Sequence, residues 1–187
     1  MTSRLPPQPG EWIDREQPLD FQFEGVSYQG YTGDVLSSAL WANGVRVLGR
    51  SFKYHRPRGI YSLANHDANA LVSVGPRTNL RADCLSLEAG LQASAVNTLG
   101  SVSRDHLAIM DRFSRFLPVG FYYKAFHTPR RLFPFYEKQM RKVAGLGKID
   151  PQYREGPTGK QYDFCDLLIV GAGPAGLSAA VDAGERG

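Results

Sequence analysis

The chain has 187 residues, a formal net charge of +4, 42% hydrophobic residues and two cysteines. That length suits one or two domains, the hydrophobic share is ordinary for a globular chain, and no apolar run approaches the ~20 residues of a membrane helix. Met1-Thr-Ser-Arg-Leu-Pro-Pro-Gln-Pro lacks the apolar core of a secretory signal, so a cytoplasmic protein is expected, with Cys84 and Cys165 as buried, reduced thiols.

Basic residues gather in 46–58 and 124–148. No nucleic-acid-binding module accompanies them, so a surface for a partner subunit or an anionic cofactor is expected instead.

Residues 1–18, Pro-rich and polar, read as an extended lead-in with Trp12 as an anchor. Leu19-Asp-Phe-Gln-Phe23 alternates as a half-buried strand does. Glu24-Gly25 supplies a two-residue turn, and residues 26–31 form the returning strand. Thr32 or Asp34 then caps a helix with an apolar face of Val35, Leu36, Ala39, Leu40 and Ala42, ended by Asn43-Gly44. Short strands are expected at 70–74, 82–87 and 91–96. A hairpin, a helix and further strands is the order of an α+β β-grasp domain, the 2Fe-2S ferredoxin-like fold, here over residues 19–97.

Such domains hold their cluster with cysteines spaced C-x4-C-x2-C in the loop after the helix, because thiolates must converge on the irons. With the next strand starting at Ala70, the three positions fall on Ser62, Asp67 and Ala70, none of them cysteine. The frame is therefore expected without an iron–sulfur cluster and without a metal site. His66 and Asp67, adjacent and alone, read as a solvated turn.

Residues 98–162 form a connector. An amphipathic helix is expected over 104–117, with Leu107, Met110, Phe113, Phe116 and Leu117 near one face, stopped by Pro118. Phe121, Tyr122, Tyr123, Phe126, Phe133, Phe135 and Tyr136 make an aromatic cluster suited to joining domains or meeting another subunit. Pro134 suits the first turn of a helix running to Val143.

The last stretch, residues 163–187, starts a dinucleotide-binding domain. A buried parallel strand is expected over 167–170, then Gly171-Ala-Gly-Pro-Ala-Gly176, then a helix of small residues over 175–183. Gly171 allows the turn off the strand, Gly173 lets the backbone approach a pyrophosphate, and Gly176 lets helix and strand pack closely. The free N–H groups of the first turn, with Ala172, Pro174 and Ala175 between the glycines, favour a phosphate. The acidic residue that would bind a ribose lies ~20 residues further on, so the chain is read as the N-terminal piece of a longer protein.

A second candidate site is His55-Arg56-Pro57-Arg58, whose guanidinium forks suit a flavin, a carboxylate or dinucleotide phosphates. The competing reading is a structural loop whose arginines bond backbone carbonyls and whose His55 packs under Pro57. No catalytic residue stands out.

Gly49-Arg-Ser-Phe-Lys-Tyr-His-Arg-Pro-Arg-Gly-Ile60 with Asn69-Ala-Leu-Val72, and further on Phe116-Leu-Pro-Val-Gly-Phe-Tyr-Tyr-Lys-Ala-Phe126 and Phe133-Pro-Phe-Tyr-Glu-Lys138, resemble the alpha subunits of heterotetrameric sarcosine oxidases. Opine oxidase and hydrogen cyanide synthase subunits share the His-Arg-Pro-Arg-Gly loop but usually keep cluster cysteines after it. The resemblance implies NAD bound without covalent attachment in this subunit, and FAD and covalently held FMN in the complex, chiefly with the beta subunit. It implies beta, gamma and delta partners, sarcosine as substrate, and peroxide with formaldehyde or methylene-tetrahydrofolate as products. The tetrahydrofolate domain would lie in a C-terminal part, and this piece alone would be inactive. The alternatives are a related flavin-dependent dehydrogenase of an opine, a proline derivative or another secondary amine, and a non-enzymatic β-grasp interaction module.

Overall fold

The computed structural model describes residues 4–62, 67–116, 130–143 and 149–186. The chain divides into two compact units, residues 1–153 and 154–187.

In the first unit, β1 (Asp14–Phe23) and β2 (Val26–Thr32) form the expected antiparallel hairpin. β1 starts earlier than the alternation suggests, because Asp14 pairs Thr32 across an irregularity before Pro18, which has no N–H to give the ladder. Trp12, expected as an anchor, is 94% exposed. Helix α1 (Leu36–Ala42) follows, then a short ribbon of β3 (Gly49–Arg50) and β4 (Pro57–Arg58), then β5 (Leu71–Val74), β6 (Arg77–Arg81) and β7 (Gln92–Ala95). The five-stranded sheet runs β2-β1-β7-β5-β6, with β1 and β7 parallel and the other neighbours antiparallel. This mixed sheet with one helix against it is the β-grasp arrangement.

Phe21 and Phe23 of β1, Val72 of β5 and Ala93 of β7 join Leu36, Ala39 and Leu40 of α1 in one buried core. A helix of seven residues is far too short to persist alone, and full burial of each Leu or Phe is worth about 1.5–3 kcal/mol, so the packing holds the helix. At its C-terminus the N–H of Val45 bonds the carbonyl of Leu40 and that of Gly44 the carbonyl of Trp41, the paired closure of a Schellman motif.

Two expectations need correction here. The helix is not capped by Thr32 or Asp34: its first donors, the N–H groups of Leu36 and Ser37, bond the carbonyls of Leu85 and Ala82 at 2.9 and 3.0 Å. Residues 82–87 are correspondingly not a strand. Their backbone is spent on the helix N-terminus, with Leu87 N–H on the Asp34 carbonyl and a single bridge between Val35 and Ser86. The strand lies just before, at β6, turned back on β5 through Gly75-Pro76.

After the sheet, a 3₁₀ helix spans His106–Phe116, where the sequence suggested an amphipathic helix. A short 3₁₀ turn (Arg130–Leu132) leads into α2 (Phe133–Val143), which starts next to Pro134 as expected. Of the aromatic cluster, Phe121, Tyr122, Tyr123 and Phe126 lie outside the described residues, while Phe135 and Tyr136 meet edge to face at 5.8 Å.

In the second unit, α3 (Pro174–Arg186) forms as expected and buries none of its residues. Residues 167–170 pair with no other described strand, so the expected buried strand is absent as a ladder; Leu168 is 73% and Val170 88% exposed. Among the described residues no helix is long and apolar enough to cross a membrane.

Candidate functional site

The β3–β4 ribbon presents the basic loop. Its two sides are tied by Leu48 N–H to the Arg58 carbonyl, Ser51 N–H to the Arg56 carbonyl and His55 N–H to the Ser51 carbonyl, at 2.9–3.0 Å. Gly59 closes it for a steric reason: a Cβ there would stand 2.5 Å from the Arg46 carbonyl oxygen.

The structure sends the loop's three candidate residues to different places. His55 is buried in a left-handed conformation, φ +53°, which costs a side-chain-bearing residue about 1 kcal/mol or more. It is held there by Asp105: Nδ1 and Oδ2 lie 2.6 Å apart, and the other oxygen of Asp105 accepts the N–H groups of Leu99 and Leu107. Its Nε2 is buried without a hydrogen-bond partner. Arg56 stays at the surface, ion-paired to Asp111 at 2.7 Å and 4.8 Å from the Tyr54 ring centroid. Arg58 is exposed and lines a cleft with Arg50. Arg50, which sequence reading passed over, bonds backbone carbonyls: Nε and Nη2 donate to Val102, and Nη1 to His55. His55 is therefore tied to the connector through Asp105.

Asp67 overturns another expectation. Far from a solvated turn, it is 1% exposed; His66 lies outside the described residues. One carboxylate oxygen accepts the N–H groups of Tyr61 at 2.6 Å and Ser62 at 3.2 Å, and the other that of Asn69 at 2.8 Å. The Asp67 N–H donates to the buried Asp83 carboxylate. Two of the three positions where a cluster ligand would stand, Ser62 and Asp67, are thus bonded to each other, and the loop closes on a carboxylate.

A plant-type cluster needs four thiolates. This chain has Cys84 and Cys165, both exposed rather than buried as expected, and Cys84 accepts from the Arg81 guanidinium. That thiol contact, ahead of the nearby Asp83 and Asp67 charges, raises the Arg81 pKa above its ordinary value. Among the described residues no group of three or more His, Cys, Asp or Glu could hold a metal ion. The residues present do not fit an iron–sulfur cluster.

Polar residues that periodicity does not flag do much of the tying. Glu24, at the hairpin turn with φ +54°, receives Ala95 N–H on one oxygen at 2.7 Å and Val102 N–H on the other at 3.0 Å. Only Asp67-x-Asn69 carries a local signal, the Asx-turn pattern.

The glycine turn lies in the second unit, at the start of α3. Gly171 has φ +107°, and a Cβ on Gly176 would come 2.0 Å from the Gly171 carbonyl oxygen. Leu177 N–H bonds the Gly173 carbonyl, so α3 starts at Pro174. The N–H groups of Ala175 and Gly176 fall in the first turn, whose donors have no intrahelical acceptor. Gly173 has open space where its Cβ would be.

A family model described as a 2Fe-2S iron-sulfur cluster binding domain matches residues 16–98, the span of the sheet. Over 180 residues, 94% of the chain, the sequence is 46% identical to the sarcosine oxidase subunit alpha of Rhizobium meliloti (strain 1021). The chain is similar to the N-terminal part of these sarcosine oxidase alpha subunits. Two further alpha subunits, from Corynebacterium strains U-96 and P-1, are 29% and 30% identical over 95% and 98% of this chain. The chain spans 18%, 14% and 15% of the lengths of these three relatives, under a fifth of each. Among solved structures, the L-proline dehydrogenase of P. horikoshii aligns at 25% identity and a TM-score of 0.38, covering 44% of this chain and 16% of that one.

Proposed function

We propose that the chain is the N-terminal segment of the alpha subunit of a sarcosine oxidase complex. That complex oxidatively demethylates sarcosine to glycine, with peroxide and either formaldehyde or methylene-tetrahydrofolate as products. The observation that carries the reading is 46% identity to a sarcosine oxidase alpha subunit over 94% of this chain.

In this reading the flavins, FAD and FMN, supply the two-electron oxidation and belong to the complex with the beta, gamma and delta subunits. This chain's own work is binding and scaffolding. Gly171, Ala172, Gly173, Pro174, Ala175 and Gly176 receive the pyrophosphate of NAD: the turn has the required φ at Gly171, the close contact at Gly176, and open space over Gly173. His55, Arg56 and Arg58 shape the basic face towards the complex's anionic groups, His55 by locking the loop to Asp105. The substrate pocket and the tetrahydrofolate site belong to the remainder of the subunit, and the 187-residue segment does not turn over sarcosine.

The test is to purify the full-length protein with its co-purifying subunits and measure sarcosine-dependent peroxide. Peroxide formation with sarcosine, and none from the 187-residue segment alone, is expected. Turnover of an opine or of proline with none of sarcosine would replace the substrate, and the absence of any bound flavin or NAD would sink the enzymatic reading.

A further inference from the structure

Beside the β3–β4 ribbon and the start of β5 lies a cleft of about 190 Å³. Its lining includes two arginines, Arg50 and Arg58, and among the described residues no Asp or Glu. Several arginines of this unit meet acids: Arg4 with Asp34, Arg15 with Glu11, Arg56 with Asp111. The two in the cleft do not. Arg50 spends three of its N–H groups on the neutral carbonyls of Val102 and His55. A guanidinium has five, so two remain. Its backbone is clamped as well, by the Asn97 side chain, which accepts the Arg50 N–H and donates to the Arg50 carbonyl. Arg58 accepts Leu48 N–H at its backbone carbonyl, and its side chain has no hydrogen bond or ion pair among the described residues. One charge is thus fixed in the wall, and a second is free to swing onto whatever enters. Phe52, 55% exposed, adds an aromatic side chain to the same cleft, and Asn69 adds an amide.

We propose that this cleft is a binding site for a phosphate monoester, with Arg58 as the closing ligand and Arg50 as the pre-set one. Charge decides between the two common oxyanions. A phosphate monoester carries about −1.5 to −2 at neutral pH, which two guanidinium groups balance, whereas a carboxylate leaves one of them uncompensated. Planar forks also fit two phosphate oxygens each. Phe52 suits an ester whose organic part is a flat ring. The inference stands on the cleft alone and holds whichever amine the complex oxidises.

The experiment is calorimetric titration of the full-length protein with inorganic phosphate, phenyl phosphate and acetate at constant ionic strength, repeated on Arg58→Gln and Arg56→Gln. Both variants remove one surface charge from the same loop, but only Arg58 lines the cleft. Arg58→Gln breaks no intramolecular bond, so its melting temperature without ligand should equal that of the parent. Saturable phosphate binding is expected, tighter for phenyl phosphate, weakened about tenfold or more by Arg58→Gln, as loss of one charge-assisted contact implies, and unchanged by Arg56→Gln. Equal weakening by the two variants would reduce the site to diffuse surface charge. Acetate binding tighter than phosphate, or a phosphate signal untouched by Arg58→Gln, would overturn the proposal.

Discussion

Three carboxylates, Glu24, Asp67 and Asp105, hold the first unit's loops by accepting backbone N–H groups, and the first two make predictions at the scale of one residue. Glu24→Ala strands the N–H groups of Ala95 and Val102. Lost bonds to a charged acceptor cost about 1.5–3 kcal/mol, so the urea midpoint should fall, while Glu24→Gln, which keeps one acceptor oxygen, should fall by less. An unchanged midpoint in the alanine variant would mean that water replaces the carboxylate at no cost. Asp67→Asn should be worse than its size suggests, because it turns an amide donor towards the N–H groups of Tyr61 and Ser62 or towards that of Asn69. A loss of at least ~2 kcal/mol in chemical denaturation is expected. The same geometry predicts that the protein, incubated anaerobically with iron and sulfide, gains no cluster absorption: the loop's donors are already satisfied and the thiols are missing. These residues were illegible in the sequence because burial of a polar side chain depends on what folds over it, and Asp67 beside His66 has the composition of an exposed turn.

At the scale of elements, legibility followed periodicity. The hairpin of β1 and β2 and helix α1 were readable because alternation and the apolar face of Leu36, Ala39 and Leu40 report the same core from two sides. β6 was missed because Arg77-Thr-Asn-Leu-Arg81 is an edge strand, polar as edges tend to be, with one partner. Residues 82–87 looked like a strand because apolar residues recur in them, yet the carbonyls of Ala82 and Leu85 cap α1. The glycine turn is readable only as backbone contacts, the positive φ of Gly171 and the close approach at Gly176, while the strand expected before it has no ladder. Gly176→Ala forces a Cβ towards a backbone carbonyl that it would meet at 2.0 Å. The turn must open, and NAD binding by the full-length protein, followed by fluorescence titration, should weaken at least tenfold (about 1.4 kcal/mol). Gly184→Ala, with open space at the same helix's far end, should leave the affinity alone. Equal affinities for all three proteins would remove the pyrophosphate from this turn.

For the whole molecule, the two units differ in how much they bury. Residues 14–95 enclose a core in which Leu36, Leu40, Leu48 and Val72 are wholly inaccessible. In residues 154–187, Leu167, Leu168, Val170, Leu177 and Val181 are all exposed, and α3 has no buried residue. A 13-residue helix has little stability without a packed face, and a unit of this size cannot enclose a core of its own. Under the proposed reading these apolar residues are expected to be buried against further strands and helices, for which the much longer relatives have room. Hydrogen exchange measures this directly. In the isolated 187-residue chain, amides of the β1, β5 and β7 strands should be protected while those of 167–186 exchange at nearly random-coil rates. In the full-length protein the second set should become slow, with the Leu168 and Val170 amides joining a sheet. Protection of 167–186 in the isolated chain would show that this βα unit folds unaided, and the dinucleotide turn would then be complete within these residues.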